Sequence, residues 1–372
     1  MRDADSSPIR VGLIGYGYSG RTFHAPLIRS VPGLELRLVG SGDPSKVHAD
    51  LPGMAVIADP MAVATSDAID LIVVATPNET HAPLARAALG AGKHVVVDKP
   101  FTLGLAEARS LTSLASGQGR LLSVFHNRRW DSDYLSVRKA IADGLVGEVR
   151  HFESHFDRYR PEVRDRWREG AGPGSGIWYD LGPHLVDQAL QLFGLPDRVT
   201  ASFARLRAGA KADDWAHVVM EYPALRVVLH ASMLVAGGSP RFLVHGDAGS
   251  VLKLEPDVQE SQLVSGMTPG SPGWGRDPDA LVIHGGGGTV GRTPAVDGDQ
   301  RRFYRDIVEA IDGLRIDTAD AMAAVAVMAC IEAALASART GTSLVPALTP
   351  DERDAFGVGA GSAAPDGTVR SG

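Results

Sequence analysis

The chain has 372 residues, 37 of them basic and 44 acidic, for a net charge of −7 at pH 7. That length fits two domains, each with its own core, and the acidic balance without a Lys/Arg-rich block excludes a nucleic-acid partner in favour of a small-molecule ligand. The single cysteine, Cys330, lies in the apolar run AAVAVMACIEAALA, where a thiol packs as a small hydrophobe. The opening MRDADSSPIR carries acids and no apolar stretch, and the most apolar run, Ala321 to Ala336, is interrupted by Glu332. The expected location is therefore the cytoplasm, without a membrane anchor.

From Ile9 to about Val124, short β-branched runs alternate with helical ones: IRVGLIG, a helix through Ser30, LELRLVG, AIDLIVVAT, a helix from about Thr80 to Leu89, KHVVVDK, a helix from about Leu105, then LLSVF. This alternation predicts a parallel, doubly wound α/β sheet over a first domain, residues 1–125. The runs IVVA and HVVV are apolar throughout, as strands covered on both faces are.

A second domain is expected over residues 126–345. A helix near Asp133–Asp143 and another near Ile177–Leu192 accompany runs of period-two character: HFESHFDRY, VTASFARL, WAHVVMEY, RVVLHAS, FLVHG and SVLKL. These predict a large, mostly antiparallel sheet open on one face. Residues 266–299, rich in Gly and Pro and including Gly285–Gly288, read as a long irregular excursion. Two helices, Gln300–Asp312 and Thr318 to about Arg339, precede a tail at 346–372 whose last residues, GVGAGSAAPDGTVRSG, have the composition of disorder.

The first strand runs into Gly15-Tyr16-Gly17-Tyr18-Ser19-Gly20 with a helix directly after. In that setting the three glycines serve a tight turn, close approach of a pyrophosphate and helix-to-strand packing, while the helix N-terminus offers free N–H groups to phosphate. The end of the second strand reads Gly40-Ser41-Gly42-Asp43-Pro44-Ser45-Lys46. Ser41 stands where an NAD-selective site places a carboxylate, and Lys46 is a counter-charge for a 2′-phosphate, so NADP is expected over NAD, with Asp43 arguing the other way.

Thr76-Pro77-Asn78 and Asp98-Lys99-Pro100 both end apolar strands and so fall at the carboxyl edge of the sheet, where doubly wound folds bind ligands. In GSGIWYDLGPHLVDQAL, Asp180 and His184 at i, i+4 share a helix face that Asp187 continues. A carboxylate beside an imidazole suits proton abstraction from a hydroxyl. His151, Glu153 and His155 alternate on one strand face, but no further spaced ligand cluster follows, and no metal is expected.

Together GLIGYGYSGRTFHAPLI, VVATPNETHAPLARAALGAGKHVVVDKP and GIWYDLGPHLVD resemble the Gfo/Idh/MocA family of NAD(P)-dependent oxidoreductases over about Ile9 to Thr340. FHAPLI and FHNRRWDSDY are similar to its NADP-dependent scyllo-inositol 2-dehydrogenase branch. The resemblance implies an N-terminal Rossmann domain and a C-terminal α/β domain whose open sheet serves a homodimer or homotetramer. It implies reversible oxidation of a secondary alcohol on a sugar or cyclitol, with His184 as general base, Asp180 supporting it and Lys99 bonding the reacting oxygen. The Glu-Lys-Pro of the family is here Asp98-Lys99-Pro100, with a bond before Pro100 that is often cis. Cofactor contacts are implied for Tyr16, Tyr18, Ser19, Thr76, Pro77, Asn78 and His81, and substrate contacts for Asn127, Arg128, Arg158, Tyr159 and Asp187. The alternatives on the same fold are an NAD-dependent glycosidase and a non-catalytic dinucleotide-sensing regulator.

Overall fold

The computed structural model describes residues 7–313 and 319–361. Its first sheet is parallel and six-stranded: β1 (Ile9–Ile14), β2 (Leu34–Gly40), β3 (Ala55–Ile57), β4 (Leu71–Val74), β5 (His94–Val97) and β6 (Leu122–Val124), in the order β3-β2-β1-β4-β5-β6. The reversal of strand order beside β1 opens the crevice in which such sheets bind ligands. Every residue of β4, and Val95–Val97 of β5, is buried, because helices cover both faces. Those helices are α1 (Ala25–Arg29), entered through a π-helical turn at Gly20–His24, α2 (Pro44–Asp50), α3 (Pro60–Ala64), α4 (His81–Gly90) and α5 (Leu105–Gly117).

After α6 (Ser132–Ala142), β7 (Val149–Asp157) begins the second sheet, and α7 (Ile177–Phe193) follows. The sheet continues with β8 (Arg198–Ala204), β9 (Trp215–Glu221), β10 (Arg226–Ser232), β11 (Phe242–Gly246) and β12 (Gly249–Lys253). After the short α8 (Gln259–Val264) come β13 (Leu281–Gly285) and β14 (Val290–Thr293). The eight strands run in the order β14-β13-β12-β11-β7-β10-β9-β8, and only β7 and β10 pair in parallel. Alternating burial along β7, β9 and β10 packs one face on α7 and the core and leaves the other half open. On that open face the Glu153 carboxylate accepts from both His151 Nε2 (2.7 Å) and His155 Nε2 (2.8 Å).

Two expectations need correction. The 266–299 excursion is not irregular throughout, since β13 and β14 form a hairpin whose turn is the Gly285–Gly288 run, closed by Gly285 N–H to Thr289 O (2.9 Å). Glycines masked the strand pattern because four of them in a row read as loop. The tail also holds a helix, α11 (Pro350–Gly361), with Phe356 buried in the second core. Its signal was present: Thr349 and Glu352 form a reciprocal capping box, Thr349 N–H to Glu352 Oε2 at 2.9 Å and Glu352 N–H to Thr349 Oγ1 at 3.2 Å, with Pro350 opening the helix. The part of the disorder expectation beyond residue 361 lies outside the described residues.

Between the domains run α9 (Arg301–Ile311) and α10 (Ala319–Thr340). Helix α10 is long and apolar enough to cross a bilayer, yet 72% of its most apolar window is buried inside the protein. One side, including Val327, Cys330 and Ile331, enters the core of the second sheet; another, including Ala324, Val325 and Met328, enters that of the first. Burial pushes the Cys330 thiol up to about 12, so it is inert. Glu332, the interruption in the apolar run, accepts the N–H of Leu105 (2.7 Å) at the start of α5. Ile331→Ala should cost about 2–5 kcal/mol, read as a lowered denaturation midpoint in guanidinium.

Candidate functional site

The turn after β1 brings three constraints together. Gly15 has φ +99°, and a Cβ there would strike the carbonyl of Ala75. A Cβ on Gly20 would strike the carbonyl of Gly15, whereas one on Gly17 would meet no atom within 4 Å. The loop is thus closed against its own strand at Gly15 and Gly20 and open at Gly17, the shape required for a pyrophosphate lying on backbone N–H groups. Tyr16 turns inward, its hydroxyl 3.3 Å from Asp50, which Arg21 holds with two hydrogen bonds of 2.6 and 2.8 Å. Tyr18 is exposed and donates to Glu260 Oε1 (2.8 Å).

At the end of β2, Ser41 Oγ accepts the N–H of Asp43 (3.1 Å), and the Asp43 carboxylate caps α2 by accepting the N–H of Lys46 (3.1 Å). The Lys46 side chain is exposed and forms no ion pair among the described residues.

The ends of β4 and β5 are bound tightly to each other. His81, fully buried, reaches the carbonyl oxygens of Pro100 (Nδ1, 2.8 Å) and Thr76 (Nε2, 3.0 Å). It therefore braces the loop from within instead of facing the cleft. Burial holds its imidazole below the usual range despite the pull of Asp98 and the two carbonyls. Asn78 Nδ2 donates to Gly174 O (2.9 Å) across the cleft, and Thr80 Oγ1 donates to Pro77 O (2.7 Å) and lies 2.6 Å from the Thr76 hydroxyl. The Lys99–Pro100 peptide is cis. Asp98 accepts the N–H of Lys99 (2.8 Å), and its second oxygen lies 3.8 Å from His24 Nε2, while His24 Nδ1 is 2.6 Å from the Tyr304 hydroxyl. Burial opposes ionisation of Asp98, but His24, Lys99 and the Ser19 hydroxyl together hold its carboxyl well below the ordinary range.

Helix α7 carries the second half of the site over that edge. Lys99 Nζ donates to the Asp180 carboxylate (Oδ1, 3.1 Å) and to the Asp180 carbonyl (2.7 Å), and Arg168 Nε lies 3.5 Å from Oδ1. Burial would raise the Asp180 carboxyl; Lys99 first, then Arg168 and Arg158, hold it well below its usual value. The expected Asp180–His184 partnership does not form: both lie on one helix face, but the carboxylate turns to the ammonium, a full opposite charge, and not to a buried imidazole.

His184 is 5% exposed, and its Nδ1 is enclosed without a hydrogen-bond partner among the described residues. Burial, and then the charges of Lys99, Arg128, His126 and Arg241, place its pKa well below 6.5. The ring is neutral at pH 7 and has a lone pair to offer. Asp187, also expected in the pocket, is fully engaged with Arg129 (Nη2–Oδ1 2.7 Å, Nε–Oδ2 2.9 Å).

Arg128 pairs with Asp131 and Glu260, each at 3.0 Å, and its guanidinium lies 4.9 Å over the Phe156 ring. Asn127 is buried in the short helical turn Asn127–Trp130 that follows the neighbouring strand β6, and its side-chain amide makes no hydrogen bond among the described residues. Arg158 is half-buried and Tyr159 60% exposed, with its backbone bridged to Leu234. Sequence reasoning missed Glu260, Arg168 and His126. His126 was legible as a strand-end residue beside Asn127; Glu260, 242 residues from its partner Tyr18, had no local signal.

Comparison with known proteins identifies both halves of the chain. Residues 9–126 match "Oxidoreductase family, NAD-binding Rossmann fold" and residues 138–346 match "Oxidoreductase family, C-terminal alpha/beta domain". The chain is 50% identical over 342 residues to the uncharacterized oxidoreductase YdgJ of Escherichia coli K12, covering 91% of this chain and 99% of YdgJ. It is 35% identical over 336 residues to the scyllo-inositol 2-dehydrogenase (NADP(+)) IolW of Bacillus subtilis, covering 89% and 94%. A crystal structure from Klebsiella pneumoniae, 55% identical, superposes with a TM-score of 0.90 over 95% of this chain and all of that one. With both halves matched and the nucleotide loop built as it is, this chain belongs to the Gfo/Idh/MocA family of oxidoreductases.

Proposed function

We propose that the protein is an NADP-dependent dehydrogenase that interconverts a secondary alcohol and a ketone on a sugar or cyclitol. The observation that carries this reading is the meeting of Lys99, Asp180 and a neutral His184 at the carboxyl edge of β5, beside the glycine loop. The nicotinamide, when bound, supplies or accepts the hydride. His184 takes the hydroxyl proton during oxidation and returns it during reduction. Lys99 Nζ donates a hydrogen bond to the reacting oxygen, and Asp180 keeps that ammonium aimed. Asn127, with an unengaged amide, and Arg158 are placed to meet the polyol. The name of IolW includes both NADP and an inositol substrate, and with the Asp43 carboxylate capping α2 the exposed Lys46 ammonium is available to a 2′-phosphate. The open sheet face is the surface for a homodimer or homotetramer.

The test is absorbance at the reduced-nicotinamide band with NADP or NAD against a panel of sugars and inositols. Turnover with a polyol supports the reading, and cleavage of a glycoside without net absorbance change sinks it. Lys99→Ala and His184→Ala should each lower kcat by roughly 10² to 10⁴; undiminished turnover in both would remove the assigned roles. Because the His184 imidazole is held below 6.5, oxidation should persist as pH falls through the ordinary histidine range, and the acid limb of kcat/KM should lie below 6.5. A limb at or above 6.5 would contradict a neutral buried base.

Cofactor binding is checked separately by NADPH fluorescence. Gly17→Val should weaken it at least about tenfold with little change in melting temperature, whereas Gly20→Ala should lower the melting temperature through its clash with Gly15. Lys46→Ala should weaken NADPH by roughly twofold to tenfold and leave NADH unaltered.

A further inference from the structure

The segment after β7 reads Arg158-Tyr159-Arg160-Pro161-Glu162-Val163-Arg164-Asp165-Arg166-Trp167-Arg168. Two of its arginines have carboxylate partners: Arg166 pairs with Glu169 (2.6 Å), and Arg168 approaches Asp180 (3.5 Å). The guanidinium groups of Arg158, Arg160 and Arg164 form no ion pair or hydrogen bond among the described residues. Solvated arginines on a loose loop would need no comment. This loop is held by its backbone at six points.

Arg158 N–H donates to Ser232 O (2.8 Å), Val235 N–H to Arg158 O (3.0 Å) and Arg160 N–H to Met233 O (2.8 Å). Arg207, itself buried, donates to the carbonyls of Arg160 (3.2 Å) and Glu162 (3.1 Å), and Glu169 accepts the N–H of Arg164 (3.0 Å). Arg207 in turn is fixed by Asp214 (2.9 Å) and Glu169 (3.0 Å), so those two nearby acids are already neutralised.

The loop lies against the reacting groups, since Arg168 Nε is 3.5 Å from Asp180 Oδ1. Arg160 is half-buried, and burial, followed by Arg158, Arg164 and Arg166, holds its pKa below the usual arginine value; Asp180 is the acid that opposes this. Arg158 acts on Asp180 as well, and on Tyr18 and Glu260 beside the glycine loop. A small cleft at Asp180 is lined by Arg166, Arg168 and Glu169 of this loop together with Arg207, Asp213 and Asp214, so the loop borders that end of the site. Guanidinium groups held close together without a counter-anion are a prepared site for carboxylate or phosphate oxygens, which they bind through paired N–H donors.

We propose that Arg158 and Arg160, with Arg164 beside them, form an anion subsite for a carboxylate or phosphate on the substrate, so that the preferred substrate is a sugar acid or sugar phosphate and not a neutral polyol. This rests on the dehydrogenase reading above and deepens it. The experiment compares kcat/KM with NADP for glucose, glucose 6-phosphate, gluconate and glucuronate, and for inositol and an inositol monophosphate, in the wild type and in Arg158→Gln/Arg160→Gln. It also titrates each compound calorimetrically into the protein saturated with NADP.

The expected result is an anionic member favoured over its neutral parent by roughly tenfold to a hundredfold through KM, with that preference lost in the double variant and partly restored by Arg158→Lys/Arg160→Lys. Whether the phosphate or the carboxylate series shows it identifies the group. Neutral polyols turned over as well as or better than anionic ones would overturn the inference and leave the dehydrogenase reading intact. A loss in the double variant that appears in the NADPH dissociation constant would also overturn it, by assigning the arginines to the cofactor. If no compound is turned over, the dehydrogenase reading falls, and the subsite is then decided by calorimetry: arginine-dependent binding of a sugar acid or phosphate upholds it, and its absence overturns it. A matching melting temperature for wild type and double variant shows that any loss is not unfolding.

Discussion

The bond between Lys99 and Asp180 joins the two halves of this molecule at the point where chemistry would occur. Lys99 ends a strand of the parallel sheet, and Asp180 sits in the first turn of α7, which packs on the other sheet. Both side chains are largely withdrawn from solvent, 12% and 17% exposed, so neither charge is stable there without the other. The pair therefore requires the two sheets to keep one relative position. It also leaves His184, one turn further along α7, buried and among cations, and burial first, then those charges, keep the imidazole neutral.

A shared interior enforces that position. Helix α10 gives one side to each core, so a change in domain placement would unpack apolar surface on both. Around the cleft, Asn78 reaches Gly174, and Tyr18 reaches Glu260, which in turn binds Arg128. Behind the strand ends, His81 holds two carbonyls, and the His24–Tyr304 contact backs Asp98. Polar groups buried here are costly unless paired, so each fixes its neighbour's orientation.

The arginine-rich loop follows a different logic. Its backbone is anchored by Arg207, Glu169 and residues 232–235 at the end of β10, but the guanidinium groups of three of its arginines form no ion pair among the described residues. Anchoring the chain while leaving the guanidinium groups unpaired separates what holds the loop from what the loop can hold.

The sequence by itself determined the parallel sheet, because strands buried on both faces must be apolar throughout, and the glycine loop, because a turn against Ala75 and a helix packed on Gly15 exclude side chains at two spacings. It placed Thr76 and Lys99 at one edge through the rule that such strands end at the ligand crevice. The capping box of α11 was equally local and was overlooked beneath the glycine and alanine content of the tail. Tertiary structure alone decided which partner Asp180 takes, since helical spacing brings it near His184 while folding brings a lysine 81 residues away within 3.1 Å. It alone decided that Asp187 is consumed by Arg129, that His81 points inward, and that Glu260 joins the site. Local periodicity fixes which face a side chain occupies; the charge that meets it there comes from distant chain, and only packing selects it.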